Sequence, residues 1–138
     1  MSTDDVSLNK AATIERCLAR IQTVYAGEPA NLTSDLTRQE SILLNLQRAC
    51  EAAIDLAMHR VRRGKLGIPQ DSRDAFDLLA RSGRLDPALA DGLKRMVGFR
   101  NIAVHAYTRL DLEVVRAILD RHLGDLGRFA SESIRSGE

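Results

Sequence analysis

Arg100, His105 and Tyr107 stand close together in the sequence, and the first two suit chemistry on a phosphodiester. Attack by a ribose 2′-hydroxyl on the adjacent phosphate needs a base, an acid for the leaving oxygen, and fixed positive charge. Histidine suits proton transfer near neutrality because its unperturbed pKa is about 6.5. Arginine suits charge stabilisation because its planar fork binds phosphate oxygens in pairs. The segment therefore favours cleavage of RNA, with His105 moving protons and Arg100 holding charge. Taken alone, His105 could instead be a helix-end residue that pairs with the last carbonyls of its helix.

Arg100 occupies an unusual place for a permanent cation. On a helix of about 100° per residue, it lies near the middle of an apolar stripe, whose other members are Leu89, Leu93, Met96, Val97, Val104 and Tyr107. An unpaired buried cation costs several kcal/mol, so Arg100 should meet a carboxylate or face a cleft that admits an anion. Glu51 and Asp55 flank the stripe of another helix. Either could pair with Arg100 and orient it, or both could be solvated surface charges.

The spacing also predicts how the site residues face one another. Asn101 precedes His105 by one helical turn, so their side chains should be adjacent and Asn101 is a supporting residue. Arg100 and His105 should lie about 140° apart around the helix axis, flanking a site instead of stacking on one face. A kink or a second subunit would bring them together. A symmetric dimer could place two histidines across one cleft.

Tyr107 has two interpretations. Its ring could simply close the end of the core, since tyrosine is apolar along its body and polar at its tip. Alternatively, a phosphate-bearing group on its hydroxyl would bring negative charge beside Arg100 and compete there with RNA.

Other candidate sites have simpler explanations. His59, beside three arginines, and His122 are expected to be solvated polar residues, and Cys17 and Cys50 to be buried reduced thiols. A metal site is disfavoured because the chain has no HExxH motif, no Cys/His cluster and no tight carboxylate group. The loop 64–67 lacks the spacing of a phosphate-binding P-loop.

Composition favours one all-α domain over residues 1–138. Hydrophobic residues make up 44% of the chain and aromatic residues 4%, and Trp is absent. The net charge is +1, so a nucleic-acid site must be a local patch. No signal peptide or membrane-spanning run is present in the sequence, and we expect a cytoplasmic protein.

Hydrophobic periodicity predicts an up-and-down bundle of four long helices and one short one. The termini, about 1–6 and 134–138, are expected to be frayed. The short helix follows Asp71 or Ser72 and stops at Gly83. The predicted long helices run from about Ser7 to Tyr25, Arg38 to Arg63, Pro87 to Tyr107, and Asp111 to Ser133.

The stretch 100–107, Arg-Asn-Ile-Ala-Val-His-Ala-Tyr, matches the R-x4-H-x-Y motif of the HepT toxins in the HEPN superfamily. Further stretches resemble the same family in the same order: 44–55, 66–69 with 72–74, and 96–99. The resemblance covers roughly residues 8 to 130, and the ordered set is much more specific than R-x4-H alone.

The resemblance implies a HEPN-like helical homodimer that acts as a metal-independent endoribonuclease, with Arg100 and His105 in its active cleft and no cofactor of its own. It also implies a type VII toxin–antitoxin system, in which an MntA-type nucleotidyltransferase antitoxin uses ATP to adenylylate Tyr107 and silence the toxin. Two alternatives remain: a non-catalytic helical module that docks a nucleotidyltransferase or nucleotide, and a dimeric scaffold in which Arg100 forms a buried structural ion pair.

Overall fold

The fold consists of helices packed around an aliphatic core. A computed structural model describes residues 4–105 and 110–135, with side chains for all of these except residues 104 and 105. Every regular element in these two ranges is helical, which confirms the predicted all-α class. In chain order the helices are α1 (Asp5–Tyr25), α2 (Ala30–Thr33), α3 (Leu36–Gly64), α4 (Ser72–Arg81), α5 (Pro87–His105), α6 (Leu112–Arg121) and α7 (Leu123–Arg135).

The long helix α3 is the centre of the bundle. Helix α1 packs along it, α7 packs against both, and α4 and α5 pack on its remaining side. The side chains between these helices are fully buried, and each large aliphatic one contributes about 1.5–3 kcal/mol. The largest of them include Ile14, Ile21, Leu46, Leu56, Phe76, Leu93, Leu126 and Phe129.

Aspartate side chains cap four of the helices and explain where they begin. Asp35 accepts a bond from the backbone N–H of Arg38, and Asp71 accepts one from Asp74. Asp4 and Asp111 do the same for α1 and α6. Such a cap satisfies a backbone donor that has no partner inside the helix. The predicted capping role of Asp71 is confirmed.

Several helix ends differ from the predicted ones. Helix α1 begins two residues before Ser7 because Asp4 caps it, so residues 5 and 6, which were expected to fray, are helical. Helix α3 begins at Leu36 and runs through Gly64, since the left-handed residue that ends it is Lys65, with φ of 53°. Helix α2 forms in a stretch that showed no periodicity.

The prediction of one continuous helix from Asp111 to Ser133 was wrong. His122, with φ of −124° and ψ of −3°, separates α6 from α7. The break lets the two apolar faces point in different directions, so that α6 reaches α2 while α7 packs on α1 and α3. Helix α7 then extends to Arg135, into the tail that was expected to fray.

Arg60, the neighbour of His59, was expected on a solvated polar face but is a core residue. It is only 2% exposed. Its guanidinium donates to the Ser133 hydroxyl and the Arg84 carbonyl, both at 3.2 Å, and lies 5.6 Å from the centre of the Phe129 ring. Arg60 thereby ties α3 to α7 and to the segment before α5.

His59 is also less solvated than expected. Its Nε2 lies 2.7 Å from the Asp4 carboxylate, which further accepts bonds from the backbone and hydroxyl of Ser7. Arg63 lies 3.5 Å from the same carboxylate. Desolvation raises the pKa of Asp4, but the hydrogen bonds from Ser7 and His59 outweigh it and hold this pKa far below its ordinary value. The ionised Asp4 therefore joins the start of α1 to the end of α3.

We expect Asp4→Ala to lower the free energy of unfolding by about 1–2 kcal/mol at pH 7, through loss of the cap and the pairing with His59. Because folding lowers the pKa of Asp4, its stabilisation is complete above the unfolded pKa of about 3.9 and is lost as pH falls below that value. The difference between wild type and variant should therefore shrink between about pH 4 and about pH 2.

Urea denaturation at several pH values measures this difference. Asp5→Ala is the matched control, since Asp5 is exposed and does not cap the helix. An Asp4→Ala penalty that is equal at pH 7 and pH 2.5 would contradict the assignment.

Candidate active site

Helix α5 carries Arg100, Asn101 and His105 and is anchored by its apolar stripe. Leu89, Leu93, Met96 and Val97 are buried, as the periodicity predicted. Arg100 continues this stripe and is half-buried where α5 meets α3 and α4. The packing upstream therefore fixes the direction in which the end of α5 points.

The Arg100 guanidinium makes few hydrogen bonds for a half-buried group. Its Nη2 donates to the Ser72 hydroxyl at 3.4 Å, and its Nε is buried without a hydrogen-bond partner among the described residues. Its charge also reaches Cys50 of α3. Burial raises the pKa of the Cys50 thiol to about 12 even though the positive charge of Arg100 opposes that rise. Arg100 is thus a cation held by packing, and it has N–H groups without a described partner.

Neither predicted carboxylate pairs with Arg100. Asp55 is exposed and lies 3.2 Å from Lys10 Nζ, while Glu51 accepts a bond from Gln47 at 3.2 Å within α3. Over the ranges 4–105 and 110–135, no carboxylate oxygen comes within 4.0 Å of the Arg100 guanidinium. Ser72 supplies the polar contact instead. The sequence pattern did not reveal it, because Ser72 belongs to a different helix.

Asn101 is half-buried on α5, and His105 is the last residue of that helix. Because α5 is helical through residue 105, its backbone keeps Asn101 and His105 about 40° apart around the axis, and Arg100 and His105 at the predicted angle of about 140°. The side chain of His105 and the whole of Tyr107 lie outside the described residues. The meeting of Arg100, His105 and Tyr107 therefore stays a prediction.

The first turn of α4 lies across α5 beside Arg100. Arg73 follows Ser72 and donates from Nε to the backbone carbonyl of Lys94 at 3.4 Å. Its Nη2 would lie 2.9 Å from a Cβ atom built on Gly98. Arg73 was not among the predicted site residues, and its one signal in the sequence was membership of the 72–74 stretch in the family resemblance.

A groove separates α5 from α6 on the solvent side. It encloses about 420 Å³ and is lined mainly by apolar side chains, among them Met96 and Phe99. Ile102 and Val114 border it and are 45% and 52% exposed. His122 also lines this groove, but its side chain is 39% exposed and its Nδ1 lies 3.9 Å from the Asp125 carboxylate, which agrees with the predicted solvated polar residue.

The remaining candidates stay structural. Cys17 and Cys50 are buried free thiols, as predicted. Within the described ranges, no group of three His, Cys, Asp or Glu residues could hold a metal ion. None of the helices seen there has the length and apolar content needed to span a bilayer.

Known proteins resemble this chain over most of its length. A family model described as Ribonuclease HepT-like matches residues 14–133. The mRNA nuclease HepT of Shewanella oneidensis is 51% identical over 126 residues, which are 91% of this chain and 94% of that protein. The chain belongs to the HepT-like ribonuclease family.

Solved structures agree with this assignment. The tri-AMPylated Shewanella oneidensis HEPN toxin in complex with MNT antitoxin superposes with a TM-score of 0.87 at 49% identity, covering 94% of this chain and 97% of that one. A toxin–antitoxin complex with AMP-PNP gives the same TM-score, identity and coverage. The predicted family, helical fold and ribonuclease activity of this HepT-like protein are confirmed.

We expect Arg100→Met to leave the stability of this HepT-like ribonuclease unchanged or to raise the free energy of unfolding by about 1–2 kcal/mol, because a buried charge without an ion pair gives way to a side chain that packs. Arg60→Met, which removes a well-bonded buried arginine, should instead cost at least about 2 kcal/mol. Thermal and urea denaturation measure both. A large loss of stability in Arg100→Met would show that Arg100 forms a structural ion pair.

Proposed function

We propose that this HepT-like ribonuclease is the toxin of a toxin–antitoxin pair and cleaves RNA without a metal through Arg100 and His105. The observation that carries the proposal is the state of Arg100: a half-buried guanidinium without a carboxylate partner among the described residues, five positions before His105 on the same helix. A cation held this way is ready for a phosphate, since its remaining N–H groups gain the partners that the fold withholds.

The reaction follows from these two groups. Neutral His105 takes the proton of a ribose 2′-hydroxyl, whose oxygen attacks the adjacent phosphorus. A protonated histidine gives its proton to the departing 5′-oxygen as the phosphorus–oxygen bond breaks, leaving a 2′,3′-cyclic phosphate and a 5′-hydroxyl. Arg100 stabilises the extra negative charge on the phosphoryl oxygens in the transition state. The similarity to the mRNA nuclease HepT supports RNA as the substrate class.

The cleft is proposed to form between two copies of the chain. The helical angle of about 140° between Arg100 and His105 makes a cleft within one subunit difficult. The groove between α5 and α6, with exposed Ile102 and Val114 at its border, offers an apolar face beside the end of α5. Pairing through that face would bring two α5 ends together and supply an acid and a base from two histidines.

Cleavage of a defined RNA in EDTA tests the catalytic assignment. We expect wild type to cut, and Arg100→Ala and His105→Ala each to lose at least about 100-fold in kcat/KM, in the range of removing a general acid–base or an oxyanion contact. The products should carry cyclic phosphate ends. Equal residual cleavage in wild type and both variants would instead point to a contaminating ribonuclease and to a binding module.

Refolding wild type with increasing amounts of His105→Ala tests the shared cleft. If one cleft takes a histidine from each copy, mixed dimers should be inactive, and activity should fall with the square of the wild-type fraction. Activity that falls in simple proportion to that fraction would rule out a shared cleft, provided that light scattering shows dimers.

The proposed partner is an MntA-type nucleotidyltransferase that transfers adenylyl groups from ATP to the hydroxyl of Tyr107. The superposable solved structures are of a toxin with the MNT antitoxin, and one of these toxins is tri-AMPylated. The hydroxyl oxygen attacks the α-phosphorus of ATP, and pyrophosphate leaves. The added phosphate would place negative charge two residues from His105, where it would compete with RNA for Arg100.

Intact-mass measurement after incubation with the antitoxin and ATP tests this modification. We expect a gain of one or more adenylyl groups and loss of ribonuclease activity, both abolished by Tyr107→Phe. The other tyrosine, Tyr25, is the matched control, because it is buried and its hydroxyl donates to Asp120 at 2.8 Å. Labelling that survives Tyr107→Phe but disappears in Tyr25→Phe would overturn the assignment.

A further inference from the structure

Arg73 is an exposed cation whose direction is set by the fold. It is the second residue of α4, and its Nε bonds to the Lys94 carbonyl of α5 at 3.4 Å. Its Nη2 would lie 2.9 Å from a Cβ on Gly98, closer than side chains normally approach. The absence of a side chain at Gly98 therefore lets the guanidinium lie directly on α5.

The charge of Arg73 is uncompensated where it lies. In the described part of the chain, no carboxylate oxygen lies within 4.0 Å of its guanidinium. The nearby acids are already engaged: Asp77 contacts Lys94 at 2.8 Å, and Asp74 contacts Arg81 at 3.7 Å. An exposed guanidinium held against a helix by one backbone contact suits a planar anion with several oxygens.

Helix geometry relates this cation to the proposed cleavage site. Gly98 and His105 are seven residues apart on α5, so they lie within about 20° of the same face and about 10.5 Å apart along the axis. The other side of the α4 turn contacts Arg100 through Ser72. The first turn of α4 thus spans α5, with Arg100 on one side and Arg73 on the face of His105.

We propose that Arg73 binds an RNA phosphate next to the one that is cleaved, and so positions the strand along α5. This inference rests on the proposed function for its location, because it takes the end of α5 as the cleavage site. The axial separation of about 10.5 Å is too long for Arg73 to share the scissile phosphate with His105. It is suited to a neighbouring phosphate of the same strand, and the contact would be sequence-independent.

Arg73→Ala tests the proposal by its effect on binding. We expect KM to rise about tenfold with kcat within about twofold, and the slope of log Kd against log salt to fall by about one for RNA binding. Arg73→Lys should restore the salt slope and part of the affinity, since it returns the charge without the fork. Arg81 lies on the same helix and is 68% exposed. Arg81→Ala removes the same charge and should change neither KM nor the salt slope.

Gly98→Ala provides a second variant, in which a higher KM should be accompanied by higher stability. A methyl group there must displace the Arg73 guanidinium, which is the flexible end of a side chain. Replacing glycine inside a helix should also raise the melting temperature. We therefore expect a more stable protein with a higher KM, and no further loss when Arg73→Ala is added. Gly98 also lines the groove between α5 and α6. Light scattering that shows an unchanged oligomeric state excludes an effect of the variant through that groove.

Direct binding separates this proposal from the proposed function. Fluorescence anisotropy with a labelled RNA is measured on His105→Ala protein with and without Arg73→Ala. If wild type does not cleave but Arg73→Ala still weakens binding and lowers the salt slope, the phosphate contact stands and the catalytic proposal falls. If wild type cleaves and Arg73→Ala matches Arg81→Ala in KM and slope, the phosphate contact is overturned. Absence of both binding and cleavage overturns both.

Discussion

The site depends on a guanidinium that the fold holds in place without neutralising it. Arg100 extends an apolar stripe, so the packing of Leu93, Met96 and Val97 determines where its charge goes. A carboxylate partner would have stabilised that charge and also competed with any phosphate for it. The weak contact with Ser72 orients the group at little cost to its ability to bind an anion.

This arrangement contrasts with Arg60, the other arginine held inside the bundle. Arg60 is bonded to Ser133 and Arg84 and packs on an aromatic ring, so its charge is used within the fold. Arg100 has a buried Nε that no described residue satisfies. Such unsatisfied groups are expensive, and they persist where function requires them. The two arginines therefore differ in what the fold does with their charge: it bonds the Arg60 guanidinium on several sides and leaves most of the donors of Arg100 without a described partner.

Helix α4 gives the site a second wall. Although only a short helix, it brings Ser72 to Arg100 and Arg73 to the glycine surface of α5. Its capped first turn is rigid, because Asp71 accepts from the Asp74 N–H and Asp74 accepts from the Gln70 N–H. Rigid support from a neighbouring helix is what keeps long, flexible arginine side chains in one direction.

The sequence by itself determined the helical class, the cap at Asp71, and the presence of Arg100, Asn101 and His105 on one helix, because periodicity and capping are local properties of neighbouring residues. It also identified the family through the ordered motif. Only the tertiary structure decided the break at His122, the burial of Arg60, and the contacts of Arg100 and Arg73. These contacts join residues that are far apart in the chain. Asp55, for example, pairs with Lys10 and not with Arg100, and Arg100 donates to the Ser72 hydroxyl. A helical pattern gives the face a residue occupies, whereas its partner is set by which helix packs opposite.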